Sequence, residues 1–127
     1  MAITNHERVG KALDLLKAGL APFVEREFTN LYADRALAEA RRLQGEDRLL
    51  ANKLLAEWDA TALLKLMWEA WNDVFRRTLG HAERSLVSEL RDVRNKWAHQ
   101  EPFSGDDADR ALDSAERLLT AVSLASR

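Results

Sequence analysis

The sequence predicts an all-α fold, a helical bundle of about four to six helices within a single domain covering residues 1–127. Only five glycines and two prolines interrupt the 127 residues, and alanine, leucine, glutamate and arginine, which dominate the chain, are strong helix formers. Apolar residues recur at alternating spacings of three and four, which is the period of an amphipathic helix. Hydrophobic residues make up 46% of the chain, enough to fill a core.

The first helix is predicted to begin at Thr4, whose side chain can cap it, with Glu7 three residues later as in a capping box. One apolar stripe follows, made of Val9, Leu13, Leu16 and Leu20. Pro22 lacks an amide donor, so we expect the helix to kink or restart there. The helical pattern then continues to Gln44, where Gly45 ends it.

The middle of the chain is predicted to hold a helix-prone segment, residues 46–57, and a long apolar helix. Asp59 is the expected N-cap of that helix and Gly80 its C-terminal stop. Its two apolar stripes are Leu63, Met67, Ala70, Val74 and Leu64, Trp68, Trp71, Phe75. The simpler interpretation is a central core helix. The alternative gives one stripe to a partner subunit, with Trp68 and Trp71 as anchors of a dimer interface.

Two further helices complete the predicted bundle. The first covers residues 82–98, and its core stripe is Leu86, Leu90, Val93 and Trp97. Pro102 ends any helix by residue 101. Ser104 is the expected cap of the last helix, with Asp106 and Asp107 in its first turn, where the helix dipole favours negative charge. The residues expected to face the core are Ala108, Ala111, Leu112, Ala115, Leu118, Leu119 and Val122.

Composition narrows the possible functions. The net charge of -2 gives no global basic field for nucleic acid, so any anion site must be local. The chain has no cysteine, and its histidines at positions 6, 81 and 99 lack metal-ligand spacing, so we expect no metal and no cofactor. There is neither an apolar run of about 20 residues nor a signal sequence, which predicts a cytoplasmic protein that begins at its own Met1, with no membrane partner.

Polar side chains line one side of the helix over residues 82–98 and its end. Ser88, Asp92, Asn95 and His99 are spaced by four, three and four residues, and Arg84, Arg91, Arg94 and Lys96 flank them. Residues 76–99 contain six lysines or arginines against three acidic residues, a local charge of +3. Positive charge is therefore concentrated beside this line.

This set of residues suits RNA cleavage without a metal, which needs a base, an acid and a cation. Histidine, with a reference pKa of about 6.5, can transfer protons at neutral pH, so His99 is the candidate base or acid. Arg94 offers a planar fork of donors to phosphate, and Asn95 can bind a phosphate oxygen or orient His99. One histidine cannot readily be both base and acid, whereas two copies facing each other across a dimer would supply both.

Spacing alone also allows a solvated helix end. Arg76 and His81 repeat the five-residue spacing of Arg94 and His99 but span Gly80, and we interpret that pair as coincidental. Five residues correspond to about 140° around a straight helix. Arg94 and His99 therefore meet only if the helix loosens near His99 or a second subunit supplies the partner.

Arg94, Asn95 and His99, in "RNKWAHQ", resemble the R-polar-x-x-x-H signature of the HEPN superfamily (higher eukaryote and prokaryote nucleotide-binding domains). Two longer blocks, "TNHERVGKALDLLKAGLAPFVERE" and "WNDVFRRTLGHAERSLVSELRDVRNKWAHQEPFSGDDADRALDSAERLL", resemble its branch named for the Swt RNA endoribonuclease. The resemblance implies an all-α homodimer with a composite cleft. It also implies metal-independent RNA cleavage in RNA processing or phage defence. Such domains often stand at the N-terminus of larger proteins with ATPase or helicase modules.

Three functions therefore compete. The first is an endoribonuclease whose catalytic residues are Arg94, Asn95 and His99, with RNA bound through Arg91, Lys96 and Arg84. The second is a non-catalytic dimerisation or nucleotide- or RNA-binding module of a larger protein. The third is a structural bundle without an anion site. A metal enzyme is disfavoured by the ligand spacing.

Overall fold

The computed structural model describes residues 3–45 and 53–126. Its α-helices are α1 (Asn5–Tyr32), α2 (Ala36–Gln44), α3 (Ala60–Glu69), α4 (His81–Ala98) and α5 (Gly105–Ala125). Single turns of 3-10 helix lie at Ala33–Arg35, Leu55–Glu57 and Phe75–Arg77, and the described residues contain no strand. The predicted all-α bundle is confirmed. Among these residues, no helix combines the length and the apolarity needed to cross a bilayer.

Four of the helices enclose the core. Both α3 and α5 pack against α1 and against α4, so α1 and α4 occupy opposite corners of the bundle, and α2 covers α1 and α3. The centre is filled by fully buried side chains from all four, among them Leu16, Leu63, Met67, Leu90 and Leu118. This arrangement leaves one long side of α4 facing outward.

The three predicted caps are confirmed. The side chain of Thr4 accepts a hydrogen bond from the backbone N–H of Glu7 at 3.0 Å. Asp59 accepts one from the N–H of residue 62 at 2.9 Å. Ser104 and Asp107 form a reciprocal capping box, in which each side chain accepts from the other's backbone N–H. Local polar chemistry therefore determines where α1, α3 and α5 begin.

Helix α1 does not restart at Pro22, as the sequence allowed. It runs through the proline to Tyr32, and the break comes at Ala33, whose φ is 52°. Buried side chains lie on both sides of Pro22, including Leu20 and Val24. Their packing holds the helix together despite the missing hydrogen bond. The predicted end at Gln44 is confirmed, with Gly45 at a φ of 79°.

The long apolar helix was predicted wrongly at its C-terminal end. Helix α3 stops at Glu69, and the following turns lead to the 3-10 turn at Phe75–Arg77. Buried side chains nevertheless continue through Trp71, Val74 and Phe75. The spacing of apolar residues therefore predicted correctly which side chains are buried, but not where the helix ends. Gly80 does not stop that helix; it is the N-cap residue of α4.

Residues 46–52 of the predicted helix-prone segment lie outside the described residues. Of the rest, residues 53 and 54 are not helical, and Leu55–Glu57 form a single 3-10 turn, so a continuous helix to Glu57 is not formed. Leu55 and Trp58 are buried against the core. This short turn therefore closes the bundle beside the start of α3.

The two tryptophans proposed as interface anchors differ in position. Trp71 is 3% exposed and lies in the core, so in this chain it has no free face for a partner. Trp68 is half-buried and packs at the edge of the core. The core interpretation therefore applies to the stripe as a whole, and only Trp68 stays near the surface.

Candidate functional site

A continuous polar line runs along the outward side of α4. It consists of His81, Ser85, Ser88, Asp92, Asn95 and His99, which we call the α4 stripe. Successive members are four, three, four, three and four residues apart, which keeps them on one helical face. The stripe contains the line predicted from the sequence and extends it by two residues. His81 is the first residue of α4 and lies on the same face as His99.

The flanks of the stripe can be assigned from contacts across the bundle. On the α3 side, the guanidinium of Arg84 lies 4.4 Å from the ring centroid of Trp68. Arg91 follows Arg84 by seven residues and therefore lies on the same flank. Neither Arg84 nor Arg91 forms an ion pair with a described residue. Their charges are therefore not neutralised within the described part of the chain.

On the α5 side, charges are paired. Glu89 accepts hydrogen bonds from the hydroxyl of Ser114, at 2.6 Å, and from Arg110. Burial alone would raise the pKa of Glu89, but these hydrogen bonds outweigh it and hold the pKa below the ordinary value. Glu89 is therefore a structural anion that fixes α4 against α5.

Lys96, one of the predicted phosphate ligands, is also engaged on this flank. Its Nζ lies 3.7 Å from Asp107 and 5.0 Å from the ring centroid of Phe103. The backbone N–H and the side chain of Ser104 lower the pKa of Asp107, and Lys96 contributes less. Lys96 thus stabilises the start of α5, and the carboxylate of Asp107 partly neutralises its charge.

The structure brings Asn95 and His99 together on one face but places Arg94 elsewhere. Arg94 follows the fully buried Val87 by seven residues, so it lies on the inward edge of α4, and it is half-buried. The helix does not loosen before His99, whose N–H bonds to the carbonyl of Asn95 at 3.0 Å. Arg94 and His99 therefore remain about 140° apart around α4.

His99 caps the C-terminal end of α4, and an unusual residue follows it. Gln100 has a φ of 55°, in the left-handed region that favours glycine. The N–H of Gln100 donates to the carbonyl oxygen of Trp97 at 3.1 Å, and the N–H of Glu101 donates to the carbonyl oxygen of Lys96 at 3.0 Å. These two bonds form a Schellman motif. The sequence signalled the end of the helix only through Pro102, because no glycine stands at position 100.

The N-terminus of α1 is fastened to the C-terminal end of α4, which sequence reasoning missed. Nε2 of His6 lies 3.1 Å from the carbonyl oxygen of Trp97, and Nε1 of Trp97 donates to the carbonyl of His6 at 3.0 Å. Asn5 also donates to the carbonyl of Phe103 at 3.0 Å. The residues are more than 90 positions apart, so no local pattern pointed to them. Together they fix the segment on either side of His99.

No group of three or more potential metal ligands is present in the described part of the chain. The groups of the site that can bind or react with a ligand are an exposed histidine, an amide one turn before it, and arginines on the α3 side that form no ion pair with described residues.

Comparison with known proteins adds one finding. The model of a family described as Swt1-like HEPN matches residues 11–123, most of the chain. No curated protein and no solved structure matches it significantly. The matched region includes α4 and the whole of the α4 stripe.

Proposed function

The chain belongs to the Swt1-like HEPN family, and from this we propose that it is a metal-independent endoribonuclease domain that acts on RNA as a homodimer. The observation that supports the dimer most directly is the position of Arg94, on a different edge of α4 from His99 and Asn95. A second subunit would supply what one chain keeps apart. RNA processing and phage defence are the proposed settings.

The proposed reaction is an attack within the RNA itself. A base removes the proton of a 2′-hydroxyl, and the 2′-oxygen attacks the adjacent phosphorus. The bond from phosphorus to the 5′-oxygen breaks, and an acid protonates the departing oxygen. The products are a 2′,3′-cyclic phosphate and a 5′-hydroxyl end. The base keeps the proton of the 2′-hydroxyl, the acid supplies the proton of the new 5′-hydroxyl, and all other atoms of the products come from the RNA, so no water molecule is consumed in this step.

The residues of the site divide these tasks. His99 of one subunit is the base, and His99 of the other is the acid, because each is exposed and can gain or lose a proton. Arg94 donates hydrogen bonds to the phosphoryl oxygens, where negative charge grows in the transition state. Asn95 orients His99 or the phosphate from one turn away.

Positive charge beside the stripe would hold the rest of the RNA. Arg91 and Arg84 lie on the α3 side without ion pairs to described residues, so both can bind phosphate or base. Lys96 contributes on the α5 side, although Asp107 partly neutralises it. We therefore expect RNA to follow the α3 side of the stripe.

The decisive experiment is cleavage of single-stranded RNA in EDTA. Wild-type protein should produce cyclic phosphate and 5′-hydroxyl ends, and His99→Ala should be slower by about 10²-fold or more. Arg94→Ala should lose activity to a similar extent. Arg35→Ala is the control and should keep full activity, because Arg35 is exposed and lies outside α4. Equal cleavage by His99→Ala and wild type would show that cleavage does not depend on His99 and would refute the proposal.

A non-catalytic module is the second candidate, and the same separation of Arg94 from His99 supports it, because one chain alone holds no assembled site. The domain would then bind RNA or a nucleotide, or dimerise, within a larger protein carrying ATPase or helicase modules. This alternative predicts no cleavage in EDTA, together with weaker RNA or nucleotide binding by Arg94→Ala. Light scattering tests the dimer that both candidates require.

A further inference from the structure

A polar cleft lies at the N-terminal half of α4, away from His99. It has a volume of about 710 Å³ and is lined by residues of α3, α4 and α5, including Trp68, Arg84, Ser88 and Asp92. Cavities of about 300–1,000 Å³ are the size that holds small organic groups. None of the reaction steps proposed above uses this cleft.

The central feature of the cleft is a guanidinium stacked on an indole. Arg84 lies over the Trp68 ring at 4.4 Å, and its Nε atom is buried without a hydrogen-bond partner among the described residues. Packing against Trp68, rather than a carboxylate, therefore holds the guanidinium. A planar group fixed in this way can stack a second planar group on its outer side.

The charges of the cleft favour a neutral ligand over a phosphate. Two arginines, Arg84 and Arg110, and two carboxylates, Glu89 and Asp92, line the cleft, so its formal charges sum to zero although, in the described part of the chain, only Arg110 and Glu89 of these four form an ion pair. A nucleobase is planar, neutral and edged with hydrogen-bonding groups. The Asp92 carboxylate only accepts hydrogen bonds, which favours a base with an exocyclic amino group.

We propose that this cleft is a nucleobase subsite, in which a base of single-stranded RNA stacks on Arg84 and presents its amino group to Asp92. The inference rests on the proposed function, since it places RNA along the α4 stripe. Arg84 is 15 residues from His99, roughly 22 Å along a helix. That distance corresponds to about six nucleotides at the stacked spacing of about 3.4 Å, and to fewer if the strand is extended.

A protein partner would suit this cleft less well. Interface centres are depleted of charged residues, whereas four charged side chains line this cleft. The earlier suggestion that Trp68 anchors a dimer is weakened for the same reason, because Arg84 already covers one face of its ring.

The test measures RNA binding by fluorescence anisotropy in EDTA, with His99→Ala as the parent protein so that the RNA stays intact. A labelled cytosine oligonucleotide is compared with versions that carry one abasic residue at successive positions. Losing a stacked base costs ~1 kcal/mol or more, so affinity should fall at least about fivefold at one position. Adding Arg84→Lys, which keeps the charge but not the plane, should reduce that penalty to less than twofold. Adding Arg35→Lys should leave it unchanged.

A second variant guards against misfolding of the first. Asp92 is exposed, so Asp92→Asn should fold normally. In the parent, cytosine at the sensitive position should bind better than uracil, which lacks the amino group. Asp92→Asn should remove that preference.

The outcomes separate this inference from the function on which it rests. The subsite proposal is refuted if the abasic penalty is equal with and without Arg84→Lys, or if RNA is bound and cut but no position is sensitive to loss of its base. Either result leaves the proposed nuclease activity intact. Failure of wild-type protein to bind or cut RNA overturns both. A change of oligomeric mass in Arg84→Lys, without loss of the base contact, would identify the cleft as a protein interface and also overturn the subsite.

Discussion

His6 and Trp97 are joined through both their side chains and their backbones. Nε2 of His6 lies 3.1 Å from the carbonyl oxygen of Trp97, and Nε1 of Trp97 lies 3.0 Å from that of His6. The two rings stack with centroids 4.9 Å apart at an angle of 11°. Since a carbonyl oxygen only accepts hydrogen bonds, Nε2 of His6 carries a proton. This contact joins the first turn of α1 to the last turn of α4, two residues before His99.

The contribution of this contact to stability can be divided by two substitutions. His6→Phe keeps the stacked ring but loses the bond to the Trp97 carbonyl, and should lower the free energy of unfolding by about 1 kcal/mol. His6→Ala also loses the stacking and should cost about 1 kcal/mol more. Urea denaturation measures both values. His81→Phe is the control, because His81 is exposed, and its effect should stay within about 0.5 kcal/mol. If His6→Phe matches that control, the hydrogen bond does not stabilise the fold.

Two glycines of α1 provide a second, paired prediction. Glycine inside a helix is less favourable than alanine by ~1 kcal/mol, so Gly→Ala normally stabilises. At Gly10, a new Cβ would lie 3.1 Å from Nε1 of Trp97, whose ring is fixed by His6. At Gly19, it would meet the tip of Leu119, a half-buried side chain that can rotate.

We therefore expect Gly19→Ala to be more stable than Gly10→Ala by about 1 kcal/mol in thermal or chemical denaturation. The reverse order would mean that the Trp97 ring moves more easily than the tip of Leu119, and would contradict the rigid contact with His6.

The sequence predicted those parts of the fold that depend on nearby residues. The caps at Thr4, Asp59 and Ser104 and the buried stripe of α1 are read from spacings of three and four, and all were confirmed. The early end of α3 could not be predicted in this way, because burial continues to Phe75 after the helix has stopped.

For the site, the sequence predicted which residues share the outward face of α4 but not what surrounds them. His6 meets Trp97 only through the packing of α1 across the bundle, and Arg84 meets Trp68 only through that of α3. The position of Arg94 beside Val87 was available from their seven-residue spacing, yet its meaning depended on knowing that Val87 is fully buried.

Gln100 allows a test of backbone strain beside His99. A side-chain-bearing residue in the left-handed region costs roughly 1 kcal/mol or more, so Gln100→Gly should stabilise the protein by up to about 1 kcal/mol. Gln100→Pro cannot adopt a positive φ and loses the N–H that bonds to Trp97, so it should destabilise by about 3 kcal/mol. Chemical denaturation measures both changes. A destabilising Gln100→Gly would show that contacts of the glutamine side chain outweigh the strain.

The lowered pKa of Glu89 leads us to expect that the stability of the fold depends on pH. Its pKa is lower in the folded protein than the ordinary value of 4.5, so its contribution is complete above about pH 4.5 and is lost as the pH falls through the folded-state pKa. Glu89→Gln should therefore be less stable than wild type at pH 7, by about 1 kcal/mol or less for a solvent-screened pair. The gap should close below about pH 4.5. Urea titrations from pH 7 to pH 3 measure it, with the exposed Glu116→Gln as the control. A gap that persists at pH 3 would assign the effect to packing rather than charge.

The assignment of base and acid to His99 of two different subunits predicts that a dimer with one intact His99 is nearly inactive. In an equal mixture of wild type and His99→Ala allowed to exchange subunits, random pairing makes half of the dimers mixed and leaves one quarter wild type. Each mixed dimer lacks either the base or the acid, so it should cut RNA slower than the wild-type dimer by about 10²-fold or more. The mixture should therefore keep about a quarter of the activity of the same total amount of wild-type protein. An equal mixture of wild type and Arg35→Ala should keep full activity. If the His99→Ala mixture keeps half of the activity, each subunit acts alone, and the composite site proposed above is wrong.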